Sequence, residues 1–313
     1  MALAMSMGLA ACDGGAPAVD ASTPLSARTS AVSLRIDVPA SKPASLTVLA
    51  FRAAFSGVAA ADVLGLVDPL AATAPARDCQ LRDIGQSAAE LVARGDAIEL
   101  EELAGVGVSL GAGSPDIHPS PRLYPDLAAT IGGVVGEAGP FGMAVIPEQV
   151  KVQSGAVPVT ANGVADTGSD AAMVAVPAAG WVRLMNGAVP HDGSLVEVGA
   201  DLNLNLATTT RADARGETSG DSVTSLELRP FGATVALACL VPANAVPNAA
   251  GGAVTFMVPR QALAALVSVS GAARGASVAA ALDLVRRSQQ RLPLSATRVS
   301  VEVRTSTFVE LRP

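Results

Sequence analysis

Period-two alternation constrains this chain more than anything else in it. Val299, Val301 and Val303 alternate with Ser300, Glu302 and Arg304, and Thr307-Phe308-Val309-Glu310-Leu311 continues the rhythm. Successive side chains of an extended strand point to opposite faces, so such a stretch buries one face of a sheet and leaves the other polar. Leu34, Ile36 and Val38 alternate in the same way with Ser33, Arg35 and Asp37. Shorter runs of the kind are Ser45–Leu49, Ala97–Leu100, Leu195–Val198, Ser225–Leu228 and Thr234–Leu237. Gly, Pro, Asn and Asp separate them, as turn residues do. The pattern predicts an all-β protein built of mostly antiparallel strands. Three stretches read as helices instead: Ser87–Arg94, Gln261–Val267 and Ser277–Ser288, the last with Leu282, Val285 and Arg286 spaced to share a helical face. Alanine favours helix. It is abundant along the whole chain, however, and so discriminates little.

A chain of 313 residues is long enough for two cores. Pro147, Gly155 and Pro158 follow a Gly-rich segment from Gly132 to Gly142 and suggest the boundary. The expected organisation is therefore a β-sandwich over residues 33–155 and an immunoglobulin-like β-sandwich over residues 156–313. Aromatic residues make up 3% of the chain, charged residues 16%, and the net charge is -7 with only Lys42 and Lys151 as lysines. A weakly charged, acidic surface of this kind gives no electrostatic footprint for nucleic acid or for anionic lipid.

The first residues raise the question of compartment. Residues 1–11 are small and apolar, too short to span a bilayer at about 20 residues, and end in Leu9-Ala10-Ala11 before Cys12. A Leu and small residues ahead of a Cys resemble the bacterial lipoprotein signal, whose cleavage leaves an acylated Cys at the mature N-terminus. No Lys or Arg precedes the apolar run, which departs from the usual signal. Behind Cys12, the stretch that begins Asp13-Gly14-Gly15-Ala16-Pro17 is rich in Gly, Pro, Ala and Ser without periodicity, expected as a disordered tether over residues 12–32. Lipidation at Cys12 and a tether together predict attachment to the inner or outer membrane through lipid, in the periplasm or on the surface.

Three cysteines exclude a disulfide scaffold and a Cys-rich zinc site. With Cys12 lipidated, Cys79 and Cys239 remain, able to pair in an oxidising compartment or to sit as small buried hydrophobes. Asp68-Pro69-Leu70, the Cys79 segment, Pro121–Ala128, Gly199-Ala200-Asp201-Leu202 and Val301-Glu302-Val303-Arg304 are similar to a group of predicted lipoproteins of unknown function from high-GC Gram-negative bacteria. The resemblance spans roughly residues 33–313. It implies an envelope-anchored β protein and carries over no functional residue.

Several short motifs invite a sharper reading. Gly107-Val108-Ser109-Leu110-Gly111 fits the G-x-S-x-G nucleophile elbow, with Asp126, Asp166 and Asp170 and then His191 downstream in hydrolase order. An elbow must open a helix, yet Ala112–Pro121 is broken by three prolines, and no strand-helix alternation supplies a parallel sheet. Gly105, Gly107 and Gly111 miss the phosphate-loop spacing by one residue. Asp201-Leu202-Asn203-Leu204-Asn205 imitates half an EF-hand loop, but Leu206 stands where Gly is required, and strand alternation accounts for it better. The loop Asp213–Asp221 could gather calcium or serve as a solvated hairpin connection. His118 and His191 lie in loop and turn sequences without a second transition-metal ligand, and Arg94-Gly95-Asp96 reads as a helix stop. Trp181 and Tyr124 read as core packing.

The function expected from these features is a non-catalytic, envelope-anchored lipoprotein, a structural or interaction module with no cofactor, no metal and an unidentified protein partner. A serine hydrolase using Ser109 and a calcium-dependent binding module are the alternatives.

Overall fold

The computed structural model describes residues 27–39, 45–55, 79–83, 98–101, 106–108, 120–122, 141–146, 155–162, 169–177, 179–184, 193–208, 223–242, 254–271, 273, 275–294 and 297–313. In chain order the strands are β1 (Ala27–Pro39), β2 (Ser45–Phe55), β3 (Cys79–Asp83), β4 (Ile98–Glu101), β5 (Val106–Val108), β6 (Ser120–Arg122), β7 (Phe141–Ile146), β8 (Gly155–Asn162) and β9 (Ser169–Val176). They continue with β10 (Gly180–Leu184), β11 (Ser194–Glu197), β12 (Leu202–Thr208), β13 (Val223–Pro230), β14 (Val235–Val241) and β15 (Val254–Val258). Helix α1 (Arg260–Val269) precedes the two longest strands, β16 (Val278–Arg291) and β17 (Arg298–Arg312). The protein is all-β. No helix among the described residues is long and apolar enough to cross a membrane.

One large sheet organises the molecule, in the order β3-β14-β13-β16-β17-β1-β2-β7-β6, with β11 on β17 and β4 on β2 as side branches. Two three-stranded sheets, β5-β8-β9 and β10-β12-β15, complete the set. Pairing is antiparallel except where β1 and β11 each run parallel to β17.

Two separate cores form where the small sheets meet the large one. Val32, Leu34 and Ile36 of β1, Leu46 and Val48 of β2, and Val299, Val301 and Val303 of β17 pack with Val106, Val108, Val159, Val174 and Val176 of the β5-β8-β9 sheet. Leu226 and Leu228 of β13, Leu237 and Cys239 of β14, Leu282 and Leu284 of β16, and Val309 and Leu311 of β17 pack with Val182, Leu204, Leu206 and Val258 of the β10-β12-β15 sheet and with Leu263 and Leu266 of α1. Each is a β-sandwich in the ordinary sense of two sheets sharing an apolar interior. Around the second core the run β14-β13-β16-β17 faces three strands. That four-on-three count is the one found in immunoglobulin-type sandwiches, extended here by β3 and β11 at the sides of the larger sheet.

The alternating stretches form the expected strands, but three expectations need correction. Residues 277–288 do not form a helix; they lie in β16. As a strand, Val278, Ala280, Leu282 and Leu284 all reach the second core at period two, while Asp283 and Arg287 on the opposite face find charged partners. Those tertiary gains outweigh the weak helix preference of alanine. Secondly, residues 27–32, counted with the tether, belong to β1 and pair with β2. Thirdly, the two cores are not two consecutive stretches of chain. A cut between residues 155 and 156 passes through β8, and it parts β1 from β17 and β3 from β14. The reason is the length of β16 and β17, which run from one core into the other. The helix over 261–267 is present as α1, while the stretch 87–94 lies outside the described residues.

Candidate functional site: a buried charge network and an exposed aromatic pair

The face of the large sheet turned away from both cores carries the polar half of the alternation. Ser225, Glu227 and Arg229 stand on β13, Asp283 and Arg287 on β16, Glu302 and Arg304 on β17, and Arg35 and Asp37 on β1. Strand register sets Arg287 directly opposite Glu302 and Arg35 beside Glu302 on its other flank. It also sets Glu227 opposite Asp283, a like-charge pair that needs cations around it.

Those cations are in place. Arg287 donates from Nε to Glu302 Oε2 and from Nη2 to Glu227 Oε1, both at 2.8 Å. Arg304 donates from Nη2 to Glu302 Oε1 at 2.6 Å and from Nη1 to Asp283 Oδ2 at 3.3 Å. Arg229 reaches Asp283 Oδ2 at 2.6 Å, and Arg35 lies 3.3 Å from Glu302. Glu227, Asp283, Arg287, Glu302 and Arg304 are all buried. Burial pushes the Glu302 carboxyl up, but Arg304, Arg287 and Arg35 overcome this and hold it at about 2. Burial pulls the Arg304 guanidinium down, but Glu302, Asp283 and Glu227 outweigh it and raise its affinity for the proton. At Asp37 burial prevails over Arg304 and Arg35, and the carboxyl is raised.

Four arginines thus meet four carboxylates, and the charges cancel within the network. Such an arrangement has little to offer an ionic ligand. What it can do is hold β13, β16, β17 and β1 in one register, because slipping any strand by one residue would bring charges to the apolar face. Among the described residues, no three His, Cys, Asp or Glu side chains come together as metal ligands.

Further along the same face, beyond the network, the surface turns apolar. Pro230-Phe231-Gly232-Ala233 is a tight turn closed by Ala233 N–H to Pro230 C=O at 3.3 Å, with Gly232 at φ +77°. That third position of the turn needs a positive φ, which glycine adopts freely. The turn presents Phe231, which meets Phe308 of β17 with ring centroids 5.4 Å apart and planes tilted by 55°. Phe231 is 56% exposed, Phe308 46%, and Leu195 on neighbouring β11 55%. In a chain with six phenylalanines, an exposed pair in tilted contact is a departure from core packing.

Most of the candidates drawn from the sequence, namely Ser109, His118, Asp126, Asp166, His191, the Asp213–Asp221 loop, Tyr124, Arg94-Gly95-Asp96 and Cys12, lie outside the described residues. Gly107 sits in β5 opposite Thr160 of β8, and its carbonyl accepts from the Thr160 hydroxyl. The strand leading to Ser109 therefore belongs to an antiparallel sheet, not to the parallel sheet of a nucleophile elbow. Asp170 is buried, and its Oδ2 accepts from Leu294 N–H, anchoring the turn between β16 and β17. Asp201 Oδ1 accepts from Arg260 N–H at 2.8 Å at the start of α1, whose N-cap Pro259 offers no side-chain cap. Asn205 accepts from Thr255 of β15, and Leu202, Leu204 and Leu206 are buried. The EF-hand resemblance thus resolves into strand alternation and a helix cap. Trp181 lies in β10.

Cys79 and Cys239 are joined in a disulfide across 160 residues, with Cα atoms 4.0 Å apart. They are register partners on β3 and β14 of one sheet, so the bridge does not cross between the two sheets of a sandwich.

No protein-family model and no curated protein matches the chain. Among solved structures it is similar to tandem immunoglobulin domains of titin, at 8% identity over 89% of this chain and 97% of that one, with a TM-score of 0.17. At that score no statement about function rests on the likeness.

Proposed function

We propose that this chain is a non-catalytic structural or interaction module of the cell envelope, held at a membrane by lipid on Cys12. The observation that carries the reading is the Cys79–Cys239 bridge. Disulfides persist in oxidising compartments such as the periplasm and the cell surface, and that is where a lipobox-like Leu9–Cys12 would send the protein. The charge network supports a structural rather than a catalytic use of the buried ionisable groups, each engaged with the others. Phe231, Phe308 and Leu195 supply the exposed apolar surface that an interaction module needs.

The test is detergent-phase partition and intact mass of the protein from a Gram-negative host, wild type beside Cys12→Ala. A detergent-phase protein beginning at an acylated Cys12, lost in the variant, is the expected result. A soluble product that retains residues 1–11 overturns the anchor. Labelling by a serine-reactive fluorophosphonate that disappears in Ser109→Ala overturns the non-catalytic reading.

A further inference from the structure

The disulfide joins two strands that depend on it very unequally. β3 has five residues and, among the described residues, ends the large sheet on its side and pairs only with β14. It gives the second core only partly buried Cys79, while Leu81 is 39% exposed. β14 pairs with β13 on its far side, and Ala236, Leu237, Ala238, Cys239 and Val241 are all buried. A segment opens at a free energy that follows what it buries and pairs. By that measure β14 is integral to the sandwich, while β3 is attached by its pairing with β14, a smaller contact with α1 and the covalent bond.

We infer that the Cys79–Cys239 bridge is a redox-operated clasp: cleavage by an external dithiol frees β3 and uncovers the edge of β14 at Val235–Cys239, while both sandwiches stay folded. The inference rests on the oxidising-compartment reading for the bridge being formed in place. The chemistry is thiol–disulfide exchange. A thiolate of the dithiol attacks Sγ of Cys79, because Cys239 is 1% exposed and Cys79 is the less buried of the two residues. The disulfide bond breaks, its electron pair leaves on Cys239 Sγ, and that sulfur takes a proton. The second thiol of the reductant then attacks its own sulfur in the mixed disulfide and releases Cys79, which is protonated in turn. Two electrons pass to the protein, and the dithiol departs as its disulfide. The uncovered edge presents unpaired N–H and C=O groups beside Leu237, the kind of edge that accepts an added strand.

The test uses the full-length oxidised protein, with amide hydrogen exchange followed peptide by peptide before and after dithiothreitol. On reduction, exchange in Cys79–Asp83 should accelerate at least about tenfold, with β1, β16 and β17 unchanged. The double variant Cys79→Ser/Cys239→Ser should show the same pattern without reductant. Brief treatment with glutathione followed by N-ethylmaleimide should leave glutathione on Cys79 and maleimide on Cys239. Unchanged protection of β3, loss of protection in all strands together, or glutathione on Cys239 would each overturn the clasp. Protein isolated from the periplasm with both thiols free would overturn the clasp and the compartment reading together. A formed bridge whose reduction leaves β3 protected overturns the clasp alone.

Discussion

Glu302 receives Arg287, Arg304 and Arg35 from three directions, so a single change there is felt on three strands. Its carboxyl, ordinarily at 4.5, is held at about 2 in the folded protein. A carboxylate depressed on folding stabilises above its unfolded value, and that contribution is lost as pH falls toward the folded value. The urea midpoint should therefore drop between about pH 4.5 and 2, and Glu302→Gln should flatten that part of the profile. Removing one member of a buried pair leaves its partner charged and unpaired, so Arg287→Ala should cost roughly 3–5 kcal/mol in chemical denaturation. Exchange of Arg287 and Glu302 together for apolar residues of similar size should restore much of that loss. Asp201 acts on a smaller scale. Deleting its cap on α1 with Asp201→Ala should cost about 1 kcal/mol by the same measurement, and addition of calcium should shift the melting temperature of neither form.

At the scale of elements, β16 is the instructive case. Its Ala-rich beginning and the spacing of Leu282, Val285 and Arg286 suit a helix, and from Ala280 to Ser288 its burial shows no alternation because both faces are covered. A central strand buried on both faces loses the in-out rhythm that marks a strand in sequence. Only the partners on β13 and β17 decide it. Ala279 is exposed on this strand and offers a clean test. Ala279→Thr should raise stability, by up to about 1 kcal/mol on strand-propensity scales, whereas the same change in a helix lowers it. A lower melting temperature for the variant would argue against the strand assignment. β1 and the second half of β17 teach the complementary lesson: their clean alternation, read directly, places Leu34, Ile36, Val309 and Leu311 in the cores. The charge network was half legible. Its residues stand at the polar positions of those same strands, but alternation alone reads them as solvent-facing.

For the whole molecule, the shared sheet predicts shared stability. Because β1 depends on β17, and β3 on β14, fragments 1–155 and 156–313 expressed separately should show no cooperative unfolding by circular dichroism. Either fragment melting cooperatively alone would restore two consecutive domains. In the intact chain, Leu204→Ala in the second core should cost roughly 2–5 kcal/mol and lower the unfolding midpoints of the β1-β2 and β12-β15 regions alike, read by hydrogen exchange. Two separate transitions, with only the second shifted, would show that the cores are independent.

What the sequence determined by itself is local. Strand identity, core-facing positions, the turn punctuation and the short helix all follow from side-chain periodicity and backbone preference, which act over a few residues. The tertiary structure alone decided that β16 is a strand, that strands from both ends of the chain share one sheet, that the polar face of this sheet is buried as an ion-pair network, and that Cys79 meets Cys239. Each of these depends on contacts between residues far apart in sequence, such as Val32 with Val299 or Leu226 with Leu284. Strand pairing is a choice among many edges of similar local character, and no window of neighbouring residues contains the partner that settles it.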